Sequence, residues 1–94
     1  MIIDLDVCRP EETVEKQMGK IQEEYYEVRL AVERATREKS AKNRAEVLFE
    51  LLDLMNAVQT AVFQEYTDDE ILAGCQYVNS KNFVRGYLLG EEDE

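Results

Sequence analysis

Ninety-four residues with a net charge of −10, 21 acids against 11 bases and no histidine describe one small acidic domain. That surplus excludes duplex DNA or RNA as a partner, because binding a phosphate backbone needs a basic surface to release counterions. No uncharged apolar run approaches the length of a membrane span and MIIDLDVCRP is too short and too acidic for a secretory signal, so the expectation is a cytoplasmic protein free of membrane and nucleic-acid polymer.

Residues 1–9 alternate enough for a short extended segment that packs on the rest without joining a sheet. Arg9-Pro10-Glu11-Glu12 has the form of a helix start, with proline at the first helical position and acids in the first turn. Val14, Met18, Ile21, Tyr25, Val28, Val32 and Ala35 then recur at steps of four and three, the seam of a helix in an antiparallel bundle. Gly19 interrupts this helix and marks a kink or the close approach of another backbone. REKSAK, Arg37 to Lys42, reads as the turn, and Asn43 with Glu46 as a capping-box start for the second helix. That helix should end near Tyr66, where Thr67-x-x-Glu70 caps a shorter third helix through Ile71, Leu72, Cys75 and Val78. From Ser80 onward glycines 86 and 90 predict a loop or short tail, and the acidic residues 91–94 predict disorder. Cys8 and Cys75, without CxxC spacing, are expected as free thiols.

The second helix carries the main anomaly. Between Val47 and Gln64 its only charged residues are Glu50 and Asp53, on a face beside Asn56, Ala57 and Thr60, and the apolar arc of the same run spans roughly 200°, too wide for an ordinary surface helix. Burial on more than one side follows, and with it a fold completed by oligomerisation, because so short a chain buries little alone. Two carboxylates three residues apart share a face, and burying them is costly without a counter-charge. Charge is distributed to the same effect: residues 45–94 hold eleven acids and two bases, Lys81 and Arg85.

Glu24 and Glu27 on the first helix hold nearly the same angular positions relative to their apolar stripe. Each pair is followed four residues on by an alanine, Ala31 and Ala57. Antiparallel packing would bring four carboxylates to one level, and hard oxygen ligands on rigid helices describe a magnesium site. The plainer alternative is a solvated acidic face, with Lys20 and Arg34 available to pair with Glu23, Glu24 and Glu27. Glu50 and Asp53 have no such partners in their own helix.

Glu23-Glu24-x-x-Glu27 followed by Glu50-x-x-Asp53 resembles the paired signature of the MazG-like, all-α nucleoside triphosphate pyrophosphohydrolases. The segments EEYYEV, VLFELLDLM and YVNSKNFVRGYL carry the likeness, which covers roughly residues 14–88. Members often place a histidine before the Lys-Asn pair, where this chain has Tyr77 and Val78. The resemblance implies Mg²⁺-dependent cleavage of a (deoxy)nucleoside triphosphate between the α and β phosphates, giving a monophosphate and pyrophosphate, as house-cleaning of the nucleotide pool. It implies metal ligation by Glu24, Glu27, Glu50 and Asp53, with Mn²⁺ as an alternative ion. Glu23 is then an outer ligand or helper, and a glutamate among Glu23, Glu24 and Glu27 positions or deprotonates the attacking water. Lys81, Asn82, Arg85 and Tyr87, with Asn56, are the expected substrate contacts, the two bases meeting phosphates. Tyr25 and Tyr26 offer stacking faces, although Tyr25 lies on the seam and reads as core.

The expectation is one all-α domain, residues 1–94, an antiparallel bundle of three main helices assembled as a homodimer or homotetramer. Two alternatives stay open: a phosphoribosyl-ATP pyrophosphohydrolase on the same scaffold, and a non-catalytic acidic helical adaptor whose second helix serves dimerisation.

Overall fold

In the computed structural model residues 3–88 are described, and the acidic block 91–94 lies outside them. Three helices follow one another: α1 (Val14–Arg37), α2 (Ala41–Glu65) and α3 (Asp68–Val84). The described residues contain no strand. The all-α class is as expected, while several boundaries and the packing seam differ from the sequence reading.

Helix α1 begins after Thr13, whose Oγ1 accepts the Lys16 amide at 3.1 Å, and not at Pro10. The chain before it is drawn to α2. The Glu11 amide donates to Gln17 Oε1 and the Glu11 carbonyl accepts from Gln64 Nε2, both at 2.9 Å, so helical geometry starts only beyond them. Further up, Gln59 Nε2 donates to the Leu5 carbonyl at 3.0 Å and Asn56 Nδ2 to Cys8 Sγ at 3.2 Å. Residues 5–11 therefore form a strap held along α2 by side-chain amides.

The connection between α1 and α2 is tighter than predicted. Ser40, not Asn43, is the N-cap of α2, its Oγ accepting the Asn43 amide at 3.0 Å. Asn43 is buried one turn in and donates Nδ2 to the Glu38 carbonyl at 2.8 Å, which closes the turn from inside. Glu46 does not reach back to a cap; it pairs with Arg34 at 3.0 Å across the helices.

The capping box at Thr67 and Glu70 forms as expected, but α3 continues past Asn79 to Val84. Gly74 does not stop it, because a single glycine costs only about 1 kcal/mol in a helix. The terminator is Gly86, at φ 74°. Its amide donates to the Phe83 carbonyl and the Tyr87 amide to the Asn82 carbonyl, a Schellman closure. Arg85-Gly86-Tyr87 thus has a structural task whatever else it does.

Helices α1 and α2 pack antiparallel: Gln17 meets Ala57, Glu24 meets Glu50 and Asp53, and Arg34 meets Glu46. On α1 the buried and half-buried positions Val14, Gln17, Ile21, Glu24, Val28, Ala31 and Ala35 also form a heptad, with Leu30 half-buried beside it. It shares Val14, Ile21, Val28 and Ala35 with the predicted seam but substitutes Gln17, Glu24 and Ala31 for Met18, Tyr25 and Val32. Those three stay on the surface, so Tyr25 is 53% exposed and not core. Gly19 allows no close approach within the chain, since a Cβ there would meet nothing within 4 Å, and α1 runs through it unbroken.

The corresponding strip of α2 is polar. Asn43, Ala57 and Thr60 are its buried residues, whereas Leu48, Phe49, Leu51, Met55, Val58 and Phe63 are exposed. Within one chain, then, α2 is not buried on more than one side. Among the described residues no large side chain is fully buried, and α3 has no buried residue. The accessible surface is 7998 Å², against about 5,600 Å² expected of a compact monomer of this mass.

Candidate metal centre

Because the α1–α2 seam is polar at its middle, it gathers acids. Carboxylate oxygens of Glu24, Glu50 and Asp53 lie within 4.8 Å of one another. Glu24 and Glu50 are half-buried and Asp53 is exposed at the edge. Each is placed by backbone: Glu24 follows Gln17 by seven residues on the α1 seam, and Glu50 and Asp53 project from adjacent turns of α2.

The electrostatics are unbalanced. Glu24 has a cation, Lys20 Nζ at 3.0 Å, and that lysine also lies 4.0 Å from Glu23. The hydrogen bond to Glu24, then its charge, holds the Lys20 ammonium above its ordinary pKa. Among the described residues no base pairs with Glu50 or Asp53. Glu50 is accordingly pushed above its usual range, first by burial and then by the negative charges of Asp53, Glu27, Glu24 and Glu46.

Three of the four predicted ligands are therefore brought together. Glu27, one turn along α1 and exposed, is outside the trio yet close enough for its charge to act on Glu50. Glu23 points outward beside Lys20. Asn56 lines the cavity next to Asp53, but its amide is engaged at both ends, donating to Cys8 Sγ and accepting from Gln59 Nε2 at 3.1 Å. Lys81, Arg85 and Tyr87 are exposed and Asn82 half-buried at the far end of α3, and none of the four lines that cavity.

The donor set suits a hard divalent cation. Oxygens at magnesium distances of about 2.0–2.1 Å from one ion are separated by at most about 4.2 Å. Adjacent ligand oxygens on one octahedral ion lie about 2.9 Å apart, so a bound ion would draw the trio closer together by side-chain rotation. With no sulfur or imidazole among the donors, zinc and copper are disfavoured.

Residues that the sequence did not single out complete the surroundings. A cavity of about 250 Å³ opens beside the carboxylates, between the strap, α1 and α2, with Cys8, Arg9, Gln17 and Thr60 among its walls. Gln17 is 3% exposed and donates Nε2 to the Ala57 carbonyl at 3.0 Å, fixing the helix register at the cavity floor. Its one sequence signal is the seven-residue spacing to Glu24. Comparisons of the chain with protein-family models, with curated proteins and with solved structures find no match.

Proposed function

We propose that the protein is a Mg²⁺-dependent nucleotide pyrophosphohydrolase of the MazG-like kind, cleaving a nucleoside triphosphate to the monophosphate and pyrophosphate. The observation that carries the proposal is the convergence of Glu24, Glu50 and Asp53 from two helices, with no base among the described residues paired to the latter two. A fold that raises a carboxyl's pKa in this way loses stability at neutral pH unless a cation joins, and functional sites are where such arrangements concentrate.

In this proposal Glu24, Glu50 and Asp53 hold the ion. Magnesium, when bound, offsets phosphate charge and makes water a better nucleophile. Glu27, exposed one turn from Glu24, is free to accept a proton from the attacking water, and Glu23 supports it from the outer side. Lys81 and Arg85 reach phosphate only from a second copy, since α3 does not line the cavity of its own chain. The exposed apolar side of α2 gives that copy a surface to occupy. Cellular placement in the cytoplasm goes with this nucleotide-pool role, and among the described residues no helix is long and apolar enough to cross a membrane.

The adaptor alternative draws on the same exposed apolar face and gives the carboxylates no task. Pyrophosphate release across a panel of canonical and modified nucleoside triphosphates and phosphoribosyl-ATP, with magnesium and with chelator, separates the three. Release that depends on magnesium and is abolished by Glu50→Gln supports the pyrophosphohydrolase, and the preferred nucleotide decides between the two enzymes. No release from any substrate, with no magnesium binding by calorimetry, leaves the adaptor.

A further inference from the structure

The cavity beside the carboxylates is lined by acids and bases together: Glu24 and Asp53 from the helices, Arg9 and Glu11 from the strap, and Lys20, one turn before Glu24 on α1. Arg9 has no ion-pair partner among the described residues. It is nonetheless kept at the cavity, because the strap is tied to α2 on both sides of it: Asn56 holds Cys8, and Gln64 holds Glu11. Two long amide side chains and a buried glutamine committed to an irregular segment are an unusual outlay unless its position matters.

We propose that the strap supplies half of an anion-binding pair at this site, with Arg9 from the strap and Lys20 from α1 taking the terminal phosphates of a magnesium-bound polyphosphate. The inference rests on the reading of Glu24, Glu50 and Asp53 as the metal site. Its ligand class follows from three features. Carboxylates that would hold a divalent cation, with two side-chain cations lining the same cavity, match a chain of phosphates, which carries charge for both. The volume, about 250 Å³, is below the about 300–1,000 Å³ that encloses a drug-sized ligand, so the phosphates enter and the nucleoside stays outside. Lys20 changes partner: without metal its Nζ sits on Glu24 at 3.0 Å, and a divalent cation that takes over Glu24 leaves the ammonium facing the cavity. Glu11 lines the same cavity, so an anion arriving without its metal meets a like charge there.

The competing account is that Arg9 and Lys20 only offset carboxylate charge. Three variants separate the two: Arg9→Gln, Lys20→Gln, and Arg37→Gln, an exposed base at the other end of α1 that removes the same charge away from the cavity. With a nucleoside triphosphate that the wild type cleaves, Arg9→Gln and Lys20→Gln each raise KM about tenfold, the effect of one charge-assisted contact, while Arg37→Gln leaves it within about twofold. Lys20→Gln further shows magnesium binding as tight as wild type or tighter, because a competitor for Glu24 is gone. Equal KM for Arg9→Gln and Arg37→Gln overturns the proposal and leaves the pyrophosphohydrolase reading intact. If the wild type cleaves no nucleotide, that reading fails by itself, and calorimetry with magnesium and inorganic tripolyphosphate tests the anion-binding pair. Weaker binding by Arg9→Gln than by Arg37→Gln supports it; equal binding, or none by wild type, overturns it.

Discussion

Glu50 concentrates the electrostatic cost of the fold, and its titration has a defined sign. Its carboxyl is pushed above its ordinary value of 4.5 in the folded protein, so the native state holds that proton more tightly than the unfolded chain does. Without metal the associated stability is present below the unfolded value and is lost as pH rises through the folded one. In chelator, the unfolding free energy of wild type should therefore fall with rising pH above 4.5 more steeply than that of Glu50→Gln. The variant should be at least as stable as wild type at pH 7. Added magnesium should reverse the order, stabilising wild type and leaving Glu50→Gln unmoved, as read from denaturant midpoints at fixed pH. A wild-type midpoint indifferent to magnesium would count against the metal site. Glu50 and Asp53 were legible because the run from Val47 to Gln64 around them holds no base at all. The strap residues were not, because a single arginine before a proline carries no periodicity, and its placement depends on amides at positions 56, 59 and 64 that read as ordinary helix polarity.

Among the elements, the helices and the Thr67 cap could be read directly from local chemistry, and the seam could not. Hydropathy assigns Met18, Tyr25 and Val32 to the interface, yet the chain packs through the adjacent strip containing Gln17, Glu24 and Ala31. Polar residues with partners can occupy a seam, and a pattern drawn from apolar positions alone cannot see those partners. The same blindness ended α3 too early: its polar stretch through Ser80 and Asn82 stays helical because Gly86 supplies the closure six residues further on. Since α3 has no buried residue and only Ile71 and Asn82 are half-buried, its stability depends chiefly on its ends. Thr67→Ala removes the acceptor for the Glu70 amide and should cost about 1 kcal/mol. That loss should appear as faster amide exchange confined to α3, with α1 and α2 protected as before. A uniform loss of protection would mean that α3 is coupled to the α1–α2 pair. Gly19→Ala, with open space at the Cβ, should gain up to about 1 kcal/mol in the isolated fold. A loss instead would place another backbone against that face in the assembly.

At the scale of the whole molecule, the single chain leaves two requirements unmet. It exposes well over 2,000 Å² more than a compact monomer of its mass, beyond the roughly 800 Å² that a standard interface covers per partner. It also leaves Lys81 and Arg85 away from the carboxylates. One two-fold assembly meets both if α3 of one copy lies over the cavity of the other, an isologous arrangement in which each site draws on two chains. The consequence is complementation. On the proposed function Glu50→Gln would disable the metal side of a site and Arg85→Gln its phosphate side, so each variant alone is expected to be inactive or nearly so. In a mixed dimer one site inherits both defects and the other inherits neither. Random reassociation of equal amounts makes half the dimers mixed, and one sound site in each gives about a quarter of wild-type turnover. The measurement is pyrophosphate release after the two variants are unfolded together and refolded, beside controls refolded separately and then combined. Sites contained within one chain would give no recovery, since every chain then carries a defect in its own site. Recovery near a quarter requires Glu50 and Arg85 to act from different chains, which would also explain why an isolated helix pair gathers its acids at a polar seam and keeps its apolar surface for a partner.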